Sequence, residues 1–311
     1  MPSILRRCAI GLAATFATTF AIALASTFVS TVVATSAAAQ AAPPDVDIFL
    51  VPLSRGTDGL RVGAPRNITR RTGYDNQPSF LPDARAVLYT SNRGDGQTDI
   101  YRYDLSTGMS VPMFKTVPES EYSAFQGRGA TTVIRVEADS TQRLWQFPTT
   151  GGAPRVLFPA IKPVGYFAQA DDSTWALFVL GSPATLQLAR QGRDSGDVIA
   201  RNIGRSLHRI PGSNRVSFVQ KGPNGSYVMS LDPRTGRVDT LVRTLDASED
   251  IAWADSVTLV SGKGSALFVW RQGDAAWTPL GDFASAGITN ITRLAVSPNN
   301  AWLAVVGVQR P

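Results

Sequence analysis

The feature that most constrains this chain is a repeat. Phe80 ends a strand-length run, and equivalent positions recur at Phe125, Gln169, Ile210, Trp253 and Val296, at spacings of 45, 44, 41, 43 and 43 residues. Each period holds short β-length runs separated by Pro, Asp, Gly and Asn, residues that tolerate tight hairpin geometry. Second strands are expected at 86–91, 131–138, 175–181, 215–222, 257–262 and 301–308. Turn residues precede them, as in Pro82-Asp83, Asp171-Asp172 and Gly212-Ser213-Asn214, and third strands end at glycines such as Gly108, Gly192 and Gly236. Four short strands in a period of about 40–45 residues form a propeller blade.

The two ends complement each other. The last repeat supplies two strands and then ends, whereas residues 47–53 and 61–68 read as a third and fourth strand with no first two. Joined, they make one blade. The expected fold is therefore all-β: a six-bladed β-propeller with four-stranded blades, closed by a composite blade that takes two strands from each terminus. Such closure removes free sheet edges. A β-sandwich shares the strand content but explains neither the spacing nor the complementary ends.

Residues 1–39 read as an export signal: Arg6 and Arg7, an apolar stretch, and Ala37-Ala38-Ala39 before Gln40. Residues 40–45 form a short linker, and 46–311 form the propeller. Cleavage removes the only cysteine, Cys8, and leaves no stable membrane anchor. It also removes two of 30 Lys and Arg residues against 24 Asp and Glu, so net charge falls from +6 to +4. That small excess, with no basic run beyond Arg70-Arg71, is not a nucleic-acid footprint, so no nucleic-acid partner is expected. A secreted chain without cysteine relies on its own core, which suits the bacterial cell envelope: a periplasmic or secreted location.

The segment 75–101 resembles the repeat of TolB-type six-bladed propellers. The matching residues are Asp75, Pro78, Ser79, Phe80, Pro82, Asp83, Tyr89, Ser91, Arg93, Gly94, Asp99, Ile100 and Tyr101, with Ser297-Pro298-Asn299 a weaker echo. Ala84 and Asn300 stand where that family usually has Gly. The resemblance implies the TolB-like fold without the N-terminal TolB domain, because residues 40–45 alone separate the expected cleavage site from the propeller.

The chain has one histidine, His208, and no Gly-x-Ser-x-Gly elbow. No catalytic group, metal ligand set or cofactor is expected from this pattern. Position is more informative. Counting back from the six markers places Asn76, Gln77, Glu121, Tyr122, Tyr166, Ser206, Glu249, Asp250, Thr292 and Arg293 near one channel mouth. We read Asn76, Gln77, Glu121, Tyr122, Tyr166, Glu249, Asp250 and Arg293 as partner-binding residues. The leading expectation is a non-enzymatic exported propeller that binds an envelope protein or peptide through this face. The alternative places a metal, sugar or other small ligand in the channel, with Glu249, Asp250, Glu121 and His208 contributing and an enzyme as one outcome. Trp277 reads as the one tryptophan free to be exposed.

Overall fold

The computed structural model describes residues 44–93, 96–114, 116–246 and 248–309. The export signal expected at residues 1–39 lies outside them. Among the described residues, the strands form six antiparallel sheets arranged as a six-bladed propeller. Blade 1 comprises Asp75–Phe80, Ala86–Ser91, Asp99–Asp104 and Ser110–Pro112. Blade 2 comprises Ser120–Gln126, Ala130–Val136, Gln142–Pro148 and Arg155–Val156. Blade 3 runs through Val164–Gln169, Thr174–Val179, Thr185–Arg190 and Asp197–Arg201. Blade 4 has Ile203–Arg209, Val216–Gly222, Gly225–Leu231 and Val238–Arg243, and blade 5 has Ile251–Trp253, Thr258–Lys263, Ala266–Arg271 and Thr278–Asp282.

Blade 6 is the composite one. Ile288–Val296 and Trp302–Gln309 supply its inner half, and Asp47–Gly56 pairs with Trp302–Gln309 from Asp47 opposite Gly307 to Pro52 opposite Trp302. Its outer position differs from the single strand expected at 61–68. Gly59–Val62 and Arg66–Asn67 pair separately with Asp47–Gly56. Gly63, Ala64 and Pro65 break the strand between them, since Pro65 has no amide to donate to a ladder.

Apolar burial explains the ring. The second strands Ala86–Ser91 and Thr174–Val179 are buried along their whole length, because both faces of a blade are covered by neighbouring blades. Strand pleating sends alternate residues to opposite seams. In Asp47–Gly56, Ile48 and Leu50 pack with Val87 and Tyr89 of blade 1, while Phe49 and Val51 pack with Val260 and Leu267 of blade 5. The core is thus six apolar clusters, one in each seam between blades.

The TolB-type motif residues hold blade 1 together. The fully buried Asp75 carboxylate accepts from the Ser91 hydroxyl and pairs with Arg71 at 2.9 Å. Arg93 donates to the Tyr89 hydroxyl at 2.8 Å and lies 3.9 Å from the Tyr101 ring centre. Ala84 and Asn300 both adopt left-handed backbone, with φ of 57° and 56°. Trp277 is half-buried rather than free: it packs on Trp270 and donates to the Arg243 carbonyl at 2.8 Å.

Candidate functional site

The innermost strand of every blade pairs with one neighbour only, so its other edge faces the central channel. The backbone bond that closes the first hairpin of each blade gives a common register. Leu81, Gly127, Ala170, Ile210, Ala254 and Ser297 are the donors at that position. Four residues earlier in each strand stand Gln77, Ser123, Tyr166, Ser206, Asp250 and Arg293. They form one polar level, with one residue from each blade. In this register Gln126 and Arg209, not Phe125 and Ile210, occupy the position of Phe80.

Bulges sit at this level. Register shifts interrupt the inner pairings of blades 1, 2, 3, 4 and 6 between Asn76 and Ser79, Tyr122 and Phe125, Val164 and Tyr166, Ile203 and Leu207, and Thr289 and Arg293. Gln77 and Ser123 take left-handed backbone, with φ of 55° and 53°. Bulges re-aim side chains. Here they let polar groups of one blade reach backbone groups of the next.

The result is a hydrogen-bonded floor across the channel. Gln77 Oε1 accepts from the Ser123 amide at 2.9 Å, joining blades 1 and 2. The Ser206 hydroxyl accepts from the Ile251 amide at 3.3 Å, and Glu249 Oε2 accepts from the Arg205 amide at 3.2 Å, joining blades 4 and 5. Asp250 pairs with Arg205 at 3.0 Å through one carboxylate oxygen and with Arg293 through the other. Arg293 also donates to the Tyr166 hydroxyl at 2.9 Å and lies 5.1 Å from that ring centre. Glu249 pairs in addition with Lys221.

A cavity of 850 Å³ extends from this floor to the first hairpins, reaching Pro211, Gly212, Asp255, Ser256, Pro298 and Asn300. Its walls carry Phe125, Phe167, Leu207, Trp253 and Leu294. His208 also lines it. Burial pushes the His208 imidazole down to about 4; Asp250 opposes the shift and Arg293 reinforces it. The ring is therefore neutral at neutral pH, and its Nε2 lies 2.9 Å from the Ser206 hydroxyl. Arg205, Arg293 and Lys221 against Asp250 and Glu249 leave the floor with an excess of one positive charge.

The residues expected at the mouth divide into two groups. Gln77, Tyr166, Asp250 and Arg293 meet the cavity at its floor. Asn76 and Glu121 are buried away from its lining. Asn76 Oδ1 accepts from the Gln77 amide at 2.7 Å. Glu121 takes Arg135 Nε at 2.9 Å and the Thr116 hydroxyl at 2.6 Å, beneath an Arg135 guanidinium 4.7 Å from the Trp145 ring centre. Burial, opposed by Thr116 and Arg135, pushes the Glu121 carboxyl above its usual range. Tyr122 packs in the seam between blades 2 and 3. Glu249 is held by Lys221 and the Arg205 amide beside the floor.

Counting back missed Arg205, Lys221 and Tyr74. Arg205 enters the floor because the blade 4 bulge shifts the register; the only available signal was its nearness to His208. Tyr74 precedes the blade 1 inner strand. Burial and the nearby Tyr166 and Tyr122 hold its phenol protonated, against the pull of Arg293 and Arg205. Among the described residues, no three His, Cys, Asp or Glu side chains gather as a metal site, and no helix is long and apolar enough to cross a membrane.

No protein-family model matches the sequence, and no curated protein does. Solved structures do. A putative TolB from Agrobacterium tumefaciens superposes with a TM-score of 0.64 at 11% identity, over 86% of this chain and 100% of that one. TolB from Acinetobacter baumannii gives 0.53 at 13% identity, over 86% of this chain and 66% of that one. A chain in a nidogen/laminin complex gives 0.60 at 11% identity, over 86% and 100%. Likeness at this level of identity establishes architecture, and the architecture is a TolB-like six-bladed β-propeller.

Proposed function

We propose that the protein is exported to the bacterial cell envelope with loss of residues 1–39, and that it binds a protein or peptide partner there through its central channel, without catalysing a reaction. One observation carries this reading: the 850 Å³ cavity is walled by inner-strand edges and apolar side chains above a polar floor. Unpaired strand edges give an extended chain main-chain partners, and apolar walls accept its side chains. A nidogen/laminin complex contains a propeller of similar architecture, which supports a protein partner for this fold. Both carboxylate oxygens of Asp250 are held by Arg205 and Arg293, which disfavours a metal ion at that carboxylate.

Photo-crosslinking tests the partner. A photoreactive amino acid at Ala295, which lines the cavity, is compared with one at the outer-strand residue Val238 in an envelope extract. Polypeptide adducts at position 295 alone are expected. Identical adducts at both positions, or none at 295, overturn the reading. N-terminal sequencing of the envelope fraction tests export: a mature chain beginning near Gln40 is expected, and an intact chain confined to the cytoplasm refutes it.

A further inference from the structure

We propose that the channel floor is a carboxylate-binding site, built on Arg205 and Arg293, for an extended peptide that enters from the first-hairpin face. The inference rests on the peptide-binding reading above and adds the chemistry the peptide must carry.

Charge is the first argument. Both terminal nitrogens of Arg293 are engaged, one with Asp250 and one with the Tyr166 hydroxyl, and the guanidinium lies against the Tyr166 ring. Arg205 is less engaged. One terminal nitrogen meets Asp250 at 3.0 Å, and the side chain is 40% exposed where it lines the cavity. A guanidinium presents five donors in a planar fork matched to a carboxylate. Asp250 is shared by the two arginines and Glu249 is paired with Lys221, so three cations face two acids and one further carboxylate completes the charge balance.

The surroundings select the rest of the ligand. Ser206 and the neutral His208 add polarity beside Arg205 without adding charge. Above them the walls are apolar, and Phe125 is 39% exposed, high for an aromatic ring unless something covers it. At floor level the Ser123, Arg205 and Ile251 amides are already capped by Gln77, Glu249 and Ser206. Toward the hairpins no strand pairs with the inner-strand edges, although the Ser79 hydroxyl caps the Ala124 carbonyl. An extended peptide with a carboxylate flanked by apolar residues matches this order, and the cavity lies within the ~300–1,000 Å³ of ligand pockets.

Two kinds of group bring a carboxylate: a peptide C-terminus and an Asp or Glu side chain. Four pools of fluorescent octapeptides separate them, with free or amidated C-termini and with or without internal acids. Binding to the full chain is read by fluorescence anisotropy. Any pool bearing a carboxylate that binds at least ~10-fold tighter than the amidated, acid-free pool supports the site, and which pool does so names the source. In the same assay Arg205→Gln is expected to lose that ~10-fold preference and Arg205→Lys to keep part of it. The pool comparison on the parent protein stands even if a variant misfolds. Four pools that bind alike, or an Arg205→Gln protein that folds and binds as the parent does, overturn the carboxylate site and leave peptide binding intact. Failure of every pool overturns both, and a uronate oligosaccharide that binds instead assigns the channel to sugars.

Discussion

Arg293 and Tyr166 are 127 residues apart in the chain, yet they meet across the channel at 2.9 Å, joining blade 6 to blade 3. The bond spans the ring rather than a seam between neighbours. With Asp250 and Arg205 it links four of the six blades at one level.

Asp250 is the hinge of that network. Asp250→Asn leaves two guanidinium groups facing each other with no anion between them. Uncompensated charge at a buried site is costly, so a loss of ~3 kcal/mol in urea unfolding is expected. Arg293→Gln in the Asp250→Asn background should cost less than Arg293→Gln in the parent. A coupling of ~1–3 kcal/mol from the double-mutant cycle checks this, and additive effects refute it.

His208 should make stability depend on pH. Its folded pKa of about 4 lies below the ordinary 6.5, so the unfolded chain takes up the proton first. Its contribution is complete above pH 6.5 and is lost as pH falls toward 4. Burial raises the Asp75 and Glu121 carboxyls, which act in the opposite sense: their contribution is complete below the ordinary carboxyl pKa and is lost as pH rises through the raised values. Comparison with His208→Gln isolates the histidine. The pH-dependent loss between 6.5 and 4.5 should be smaller in the variant by ~2–3 kcal/mol, and parallel profiles would contradict the assignment.

Much of the architecture could be read from the sequence because turn chemistry is local. Pro82-Asp83 and Gly212-Ser213-Asn214 mark hairpins wherever they stand, and the second strand at 86–91 has those bounds in the structure. The composite blade followed from what each end lacked. The floor was only half legible. Tyr166, Asp250 and Arg293 sit where regular counting puts them, whereas Glu121 turns into an ion pair with Arg135 and Arg205 turns into the channel. A bulge is one extra residue in a ladder, and periodicity carries no sign of it.

Ala84 links the family resemblance to backbone energetics. It holds a φ of 57°, a conformation that costs a residue with a Cβ ~1–2 kcal/mol. Ala84→Gly removes that cost and gives back part of it as unfolded-chain entropy. A net gain of ~0.5–1 kcal/mol is expected, read from the urea midpoint. A loss would show that the 8% exposed methyl contributes more to the core than its backbone strain takes away.

Gly262 tests the seam between blades 5 and 6. A Cβ there would stand 2.3 Å from Ile291 Cγ2, inside the bulge of blade 6. Gly262→Ala should cost ~1–3 kcal/mol through overpacking. Adding Ile291→Val should recover part of that cost, whereas an unchanged melting temperature in Gly262→Ala would show that the seam has room.

Blade 6 also sets a timetable. Asp47–Gly56 is among the earliest strands of the propeller to be synthesised, and its partner Trp302–Gln309 is the last. At ~5–20 residues per second, the first strand waits on the order of 10–50 s for that partner to exist. Until then the ring is open, with Phe49 and Val51 deprived of Leu303 and Val305. Blades 1 to 5 have their own strands in hand by then, but closure waits for Trp302–Gln309.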